Sequence, residues 1–213
     1  PYPLISFAHG FTAGGTRVDP DYGPKLLGPL AAAGYVVVAT EDAPKNYCEW
    51  ETADQISSLG LDLRDVDRSR PTGIAGHSMG GHATELSSSN SRAVSKYNIA
   101  TAVALHPVSF PFFQPKIPVF FGTGSADVIV PPSGPVLAYK ATKKSGKVLA
   151  EIKGATHFEP NTIGRNRWTP FVIAMFDCHI KRQSEQCDKI YGTGEGALCS
   201  GAISMTKCES VAP

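Results

Sequence analysis

The stretch GIAGHSMGG, residues 73–81, decides how the chain is read. Residues 73–76 make a short apolar run of strand length, and from Met79 to residue 88 the spacing turns helical. Between them, Gly76, His77, Ser78, Met79 and Gly80 form a G-x-S-x-G pattern set between a strand and a helix. A turn that tight holds its central residue in a strained backbone conformation, and glycines two residues to either side keep side chains out of the close approach. The same unit recurs outward in both directions. Apolar runs bounded by Gly and Pro lie at Leu4–Ala8 and at residues 35–40, 101–105, 119–122 and 148–152, making six with residues 73–76. They are nearly continuous in Val, Ile, Phe and Ala rather than alternating, the pattern of parallel strands buried on both faces. Helical spacing fills residues 24–33, 53–67, 79–88, 135–143 and 168–181. Strand and helix in alternation predict an α/β fold, with an open, mostly parallel sheet flanked by helices.

A chain of 213 residues suffices for one domain with a sizeable core. With 42% hydrophobic and 18% charged residues it is neither disordered nor a charge-driven scaffold. Twenty Lys and Arg against nineteen Asp and Glu leave a net charge of +1, and no basic run is dense enough to track a phosphate backbone, so nucleic acid is not an expected partner. No apolar run approaches the roughly 20 residues of a membrane span. The sequence opens at Pro1 and enters a strand almost at once, so any signal peptide or leading strand is expected to lie outside it. Four of the five cysteines, Cys178, Cys187, Cys199 and Cys208, fall in the last 36 residues without the paired CxxC spacing of a zinc site. The Cys178/Cys187 and Cys199/Cys208 spacings would close short loops, although the sequence does not fix the pairing; Cys48 is the candidate for the odd thiol. Such usage suits a secreted protein or another oxidising compartment. After Cys187, Gly, Ser and Thr replace core residues, which divides the chain into a domain over residues 1–187 and a Cys/Gly-rich tail, residues 188–213, packed on it.

In open parallel sheets, ligands bind at the carboxyl ends of the strands, so the residues that follow those ends carry the chemistry. Ser78 is one. A serine hydroxyl is a poor nucleophile at neutral pH; it needs a base, and the base needs an orienting carboxylate. Asp127 follows the strand at 119–122 and His157 follows the strand at 148–152, giving the order Ser, Asp, His used by α/β-hydrolases. The other histidines compete poorly: His77 and His82 stand too near Ser78 in sequence, His106 leads into a proline, and His179 belongs to the cysteine-rich end. An oxyanion hole draws one N–H from the residue after the nucleophile and one from a loop after an early strand, the places of Met79 and Phe11. Gly10 lets that loop approach closely, and Gly14 and Gly15 let it bend. Neither phosphate-binding glycine pattern is present, so nucleotide binding is not expected, and chemistry by a Ser-His-Asp relay calls for no metal or organic cofactor.

The segments HGFTAGG (9–15), GHSMGG (76–81), PVFFGTGSADVIVPP (118–132) and IKGATHFEPN (152–161) resemble the bacterial cutinase and polyester hydrolase group, close to dienelactone hydrolases, over most of residues 4–187. The resemblance implies an α/β-hydrolase fold, a triad of Ser78, Asp127 and His157, oxyanion donors at Phe11 and Met79, and a carboxylic ester as substrate, polyesters such as PET included. It also implies an aromatic clamp made by Phe11 and a second position that falls at Val108, where the ring is missing; Phe110, Phe112 and Phe113 follow closely. Phe11, Met79 and Val108 are thus the expected substrate contacts. Plant and algal chlorophyllases share the fold and a similar elbow, so an esterase of one narrow natural ester is the nearest alternative. A non-catalytic hydrolase-fold binding protein is the alternative of another class. Only residues 105–117 separate two strands where many lipases insert a lid, so an open site on a monomer with no large lid domain is expected.

Overall fold

The computed structural model describes residues 1–11, 17–39, 65–161 and 163–213. Cys48, Gly14 and Gly15, and the expected helix at 53–67 up to residue 64, lie outside them. Among the described residues the sheet has seven strands: β1 (Leu4–Ala8), β2 (Val36–Ala39), β3 (Thr72–His77), β4 (Ile99–Leu105), β5 (Val119–Gly124), β6 (Lys147–Ile152) and β7 (Met205–Val211), in the order β2-β1-β3-β4-β5-β6-β7. All neighbours are parallel except β7, which runs antiparallel to β6.

Successive residues of a strand face opposite sides, and the central strands bury both. Val103, Phe120 and Val148 point into one core with Phe7, Tyr22, Trp168, Val172 and Phe176; Ala102, Phe121 and Leu149 point into another with Ile74, Ala138 and Tyr139. The first core is covered by α1 (Val18–Tyr22), a π-helical turn (Gly23–Leu27), α2 (Gly28–Ala32) and α6 (Thr169–His179). The second is covered by α4 (Ser91–Lys96) and α5 (Ser133–Ala141); α3 (Met79–Ser89) leads directly out of β3.

Three departures from the sequence reading have plain causes. The helix expected at 24–33 begins at Val18, because Pro24 and Pro29 fall at the first positions of new helical segments, where a missing N–H costs nothing. Residues 65–67, expected to end a helix, instead bridge Val66 to Tyr2, with Asp67 N–H donating to Tyr2 O at 2.8 Å. A helix, α7 (Ser184–Tyr191), crosses the expected boundary at residue 187, and the tail beyond it holds a 3-10 turn (Leu198–Ser200) and β7, so the sheet has one more strand than the six expected. As an edge strand β7 buries little and carries no apolar run. Disulfides Cys178–Cys187 and Cys199–Cys208 fasten this region, the first joining α6 to α7 and the second joining the 3-10 turn to β7.

Register aligns the strand ends that matter. Ala8 pairs with Gly76, His77 with Leu105, and Leu105 with Gly122, so the residues that leave β1, β3, β4 and β5 do so side by side.

Candidate active site

Ser78 joins β3 to α3 with φ 58° and ψ −116°, a left-handed conformation that a non-glycine residue holds only where its surroundings impose it. They do so by close approach. A Cβ on Gly76 would lie 2.1 Å from Gly80 O, and one on Gly80 would lie 2.0 Å from Ala8 O, so both glycines are sterically required. Ser78 N–H donates to Leu105 O at 2.9 Å, which ties the turn to the end of β4. The serine side chain therefore stands over the helix start, where the first N–H groups of α3 have no partner within the helix.

His157 bridges Ser78 and Asp127: its Nε2 lies 2.9 Å from Ser78 Oγ and its Nδ1 lies 2.8 Å from Asp127 Oδ2. All three side chains are buried. Asp127 divides its oxygens between two tasks. Oδ1 accepts the Ile129 and Val130 N–H groups at 3.0 and 2.8 Å, a side-chain turn that fixes the loop. Oδ2 receives His157 and also a second imidazole, His106, whose Nδ1 is 2.8 Å away. Burial pushes the Asp127 carboxyl up, but the His106, His157 and Val130 donors outweigh it and hold it far below the usual carboxylate range.

His106 is missed by the sequence reading, since nothing in LHPV announces a partner 21 residues away. It follows β4 with φ 47°, and its N–H donates to Gly122 O at 2.6 Å. On its far side the Trp168 Nε1–H donates to His106 Nε2 at 3.2 Å. An indole nitrogen can only donate, so His106 Nε2 must accept and the ring proton must sit on Nδ1, facing Asp127. Burial favours the same neutral ring by pushing the His106 pKa down. His106, Asp127 and His157 together offer three potential metal-ligand atoms, two imidazole nitrogens and one carboxylate oxygen, within 4.8 Å of one another. With its proton on Nδ1, however, His106 has no lone pair to turn inward, and the cluster reads as hydrogen-bonded rather than metal-binding.

A second chain of hydrogen bonds passes behind the serine. Gly10 N–H donates to Tyr22 OH at 3.1 Å, Tyr22 OH lies 2.8 Å from His77 Nδ1, and His77 Nε2 lies 2.8 Å from His157 O. The His157 carbonyl can only accept, so the His77 proton sits on Nε2; Nδ1 of the neutral ring then accepts from the Tyr22 hydroxyl. Burial keeps the His77 pKa far below its ordinary value, so this ring too is neutral. One path thereby links the loop of Phe11, the residue before Ser78 and the backbone of His157. Gly10 sits so near that a Cβ on it would lie 3.4 Å from Ser78 Cβ and 3.2 Å from His77 Nδ1. The loop after His157 is held by Glu159, whose buried carboxylate takes Arg167 Nε at 2.8 Å and Nη2 at 3.0 Å.

Several residues next to the triad in sequence expose apolar side chains. Phe11 is 62% exposed and Met79 half-buried, with exposed Val128 and Ile129 beside Asp127 and exposed Phe158 beside His157. Val108 docks on the site through its backbone, its N–H donating to Ser78 O at 3.4 Å and its carbonyl meeting His82 Nδ1 at 2.7 Å. Phe110 and Phe112 stack at 5.3 Å with rings 15° apart, and Phe113 and Phe110 both pack against the His82 ring. These aromatics do not all sink beneath the next helix: Phe112 is 68% exposed. The loop that carries them rests on Glu85 of α3, fully buried, whose Oε1 accepts the Ser109 hydroxyl while Oε2 has no partner among the described residues. Burial pushes the Glu85 carboxyl up to about 8.

Compared with protein-family models and with curated proteins, the chain finds no match. Among the described residues no helix is long and apolar enough to cross a membrane.

Proposed function

We propose that the protein is a serine carboxylic-ester hydrolase of the α/β-hydrolase type, cutinase-like in its choice of apolar esters and able to extend to polyesters such as PET. The observation that carries this reading is the bridge made by His157 between Ser78 Oγ and Asp127 Oδ2, with Ser78 held at φ 58° between strand and helix. In the proposed reaction Ser78 Oγ attacks the ester carbonyl as its proton passes to His157 Nε2. The oxyanion is taken by the N–H groups of Phe11 and Met79, and the proton on His157 then goes to the departing alkoxide. Water, deprotonated by His157, attacks the acyl-enzyme, the acid leaves, and the proton returns to Ser78. Asp127 never takes a proton; as an anion it stabilises the imidazolium that forms twice per cycle. The exposed rings of Phe11, Phe110 and Phe112 and the apolar Val128 and Ile129 favour a bulky apolar acyl group over a small polar one. Two disulfides favour a secreted setting.

The test is hydrolysis of p-nitrophenyl esters from acetate to long-chain acyl groups, beside a polyester film, for the wild type and Ser78→Ala. Turnover that disappears in the variant is the expected result, and release of monomers from the film carries it to polyesters. A folded wild type that turns over no member of the series and takes no organophosphonate on Ser78 would overturn the hydrolase reading in favour of a binding role.

A further inference from the structure

His106 is not needed by the three-residue relay, yet it is fully buried against it and locked in one tautomer. Its Nδ1 shares Asp127 Oδ2 with His157, at 2.8 Å from each ring, and its Nε2 is occupied by the Trp168 N–H. Its backbone occupies the left-handed region at φ 47° to bring this about. Two rings on one oxygen is an unusual use of a carboxylate that has two, since Oδ1 is reserved for the turn at Ile129 and Val130. We propose that His106 is a positioning residue for the proton-transfer step: as a fixed neutral donor it holds Asp127 in the one orientation that faces His157 and, by sharing Oδ2, sets how strongly the carboxylate supports the His157 imidazolium. The proposal rests on the serine-hydrolase reading above.

The groups that face this pair come from every element around it. His77 at the end of β3 lies 4.8 Å from the His157 ring and 6.0 Å from the His106 ring, centroid to centroid. Glu159 in the loop after β6 acts on His106 through space, and Trp168 at the start of α6 caps it. Of these, His77 is neutral and Glu159 is neutralised by Arg167. The balance at Oδ2 is therefore set by the two imidazoles. Loss of the His106 donor should leave a more basic Asp127, which holds the His157 proton more tightly and moves the acid limb of reactivity to higher pH.

The experiment is the pH dependence of covalent labelling of Ser78 by a p-nitrophenyl phosphonate in the wild type, His106→Gly and His106→Asn. Glycine keeps the left-handed backbone and removes the donor; asparagine tolerates the same backbone and offers an amide N–H near the place of Nδ1. The expected result is a labelling rate about 10- to 100-fold lower in His106→Gly, the scale on which removing the hydrogen-bond partners of metal-bound histidines lowers activity. Its acid limb should shift upward, and both rate and limb should recover largely in His106→Asn. Nitrogen-15 spectra of wild-type imidazoles supply a readout that needs no variant: His106 should keep its proton on Nδ1 throughout the titration of His157. A His106 ring protonated on Nε2, or a folded His106→Gly with wild-type rate and limb, would overturn the role while leaving the hydrolase reading intact. Failure of the wild type itself to label would overturn the reading on which the role rests.

Discussion

Ser78 and His106, one residue past the ends of neighbouring strands, both hold a left-handed backbone, at φ 58° and 47°. Each such residue costs on the order of 1–3 kcal/mol, and both contact the same carboxylate–imidazole unit, Ser78 through His157 and His106 directly. Asp127 is the residue on which the two converge, and it tolerates no amide. In Asp127→Asn, an oxygen turned toward the two imidazoles would aim the new NH2 at the Ile129 and Val130 N–H groups, and the reverse orientation would aim it at the imidazoles. The expected outcome is a kcat for p-nitrophenyl acetate lower by about 10⁴-fold, as when the orienting acid of a Ser-His-Asp enzyme loses its charge, together with a lower melting temperature. Ser78, Asp127 and His157 are legible in the sequence because each follows a strand end in a known order. His106, Trp168 and Tyr22 are not, since their roles arise from which strands lie side by side and from proton positions that only contacts define.

Among the elements, α3 joins two functions: its first turn starts at the candidate nucleophile and its middle holds Glu85 under the loop of Val108 and the phenylalanines. Burial raises the Glu85 carboxyl from an ordinary value near 4.5 to about 8, so over that interval the folded protein keeps a proton that the unfolded chain has released. The stability this contributes is fully present below about pH 4.5 and is lost as the pH rises through about 8. Urea unfolding should show the wild type about 3 kcal/mol less stable at pH 8 than at pH 5 from this group, and Glu85→Gln should flatten that difference. With no carboxyl to ionise at alkaline pH, the Glu85→Gln variant should also keep the aromatic wall unmoved, visible as an unchanged KM for long-chain esters between pH 7 and 9. Elements with apolar runs, β1 and β3 to β6, were readable because burial on both faces writes itself into composition. The edge strand β7 was not, because its residues are half-buried at best and its place is set by pairing with β6 and by Cys199–Cys208. The short helix α4 escaped for a related reason, being set by an Asn90 side chain that caps its first N–H groups.

At the scale of the molecule, the sheet's β7 end is held less by burial than by covalent bonds. Each disulfide spans nine residues of separation, and opening either should cost about 2–3 kcal/mol. Cys199→Ser with Cys208→Ser is expected to lower stability by that amount, with amide exchange rising first in β7 and β6 and last in β3 and β4. The same region borders the site, because Lys153 N–H, just past β6 on the way to His157, donates to Ser204 O at 3.0 Å. A change at the edge strand is thus only a few residues from the base. The contact between Trp168 and His106 offers a way to watch both ends of this arrangement in light. The chain has two tryptophans, Trp50 and Trp168, and the second lies fully buried in the larger core with its N–H on an imidazole. An excited indole is dimmed by a protonated imidazole at its edge and emits at longer wavelength in water than in a core. In a protein with Trp50 replaced by Phe, emission colour follows global unfolding, while an intensity that stays constant at constant colour through the titration of His157 marks a His106 that remains neutral, so that one cuvette separates the fate of the fold from the state of its relay.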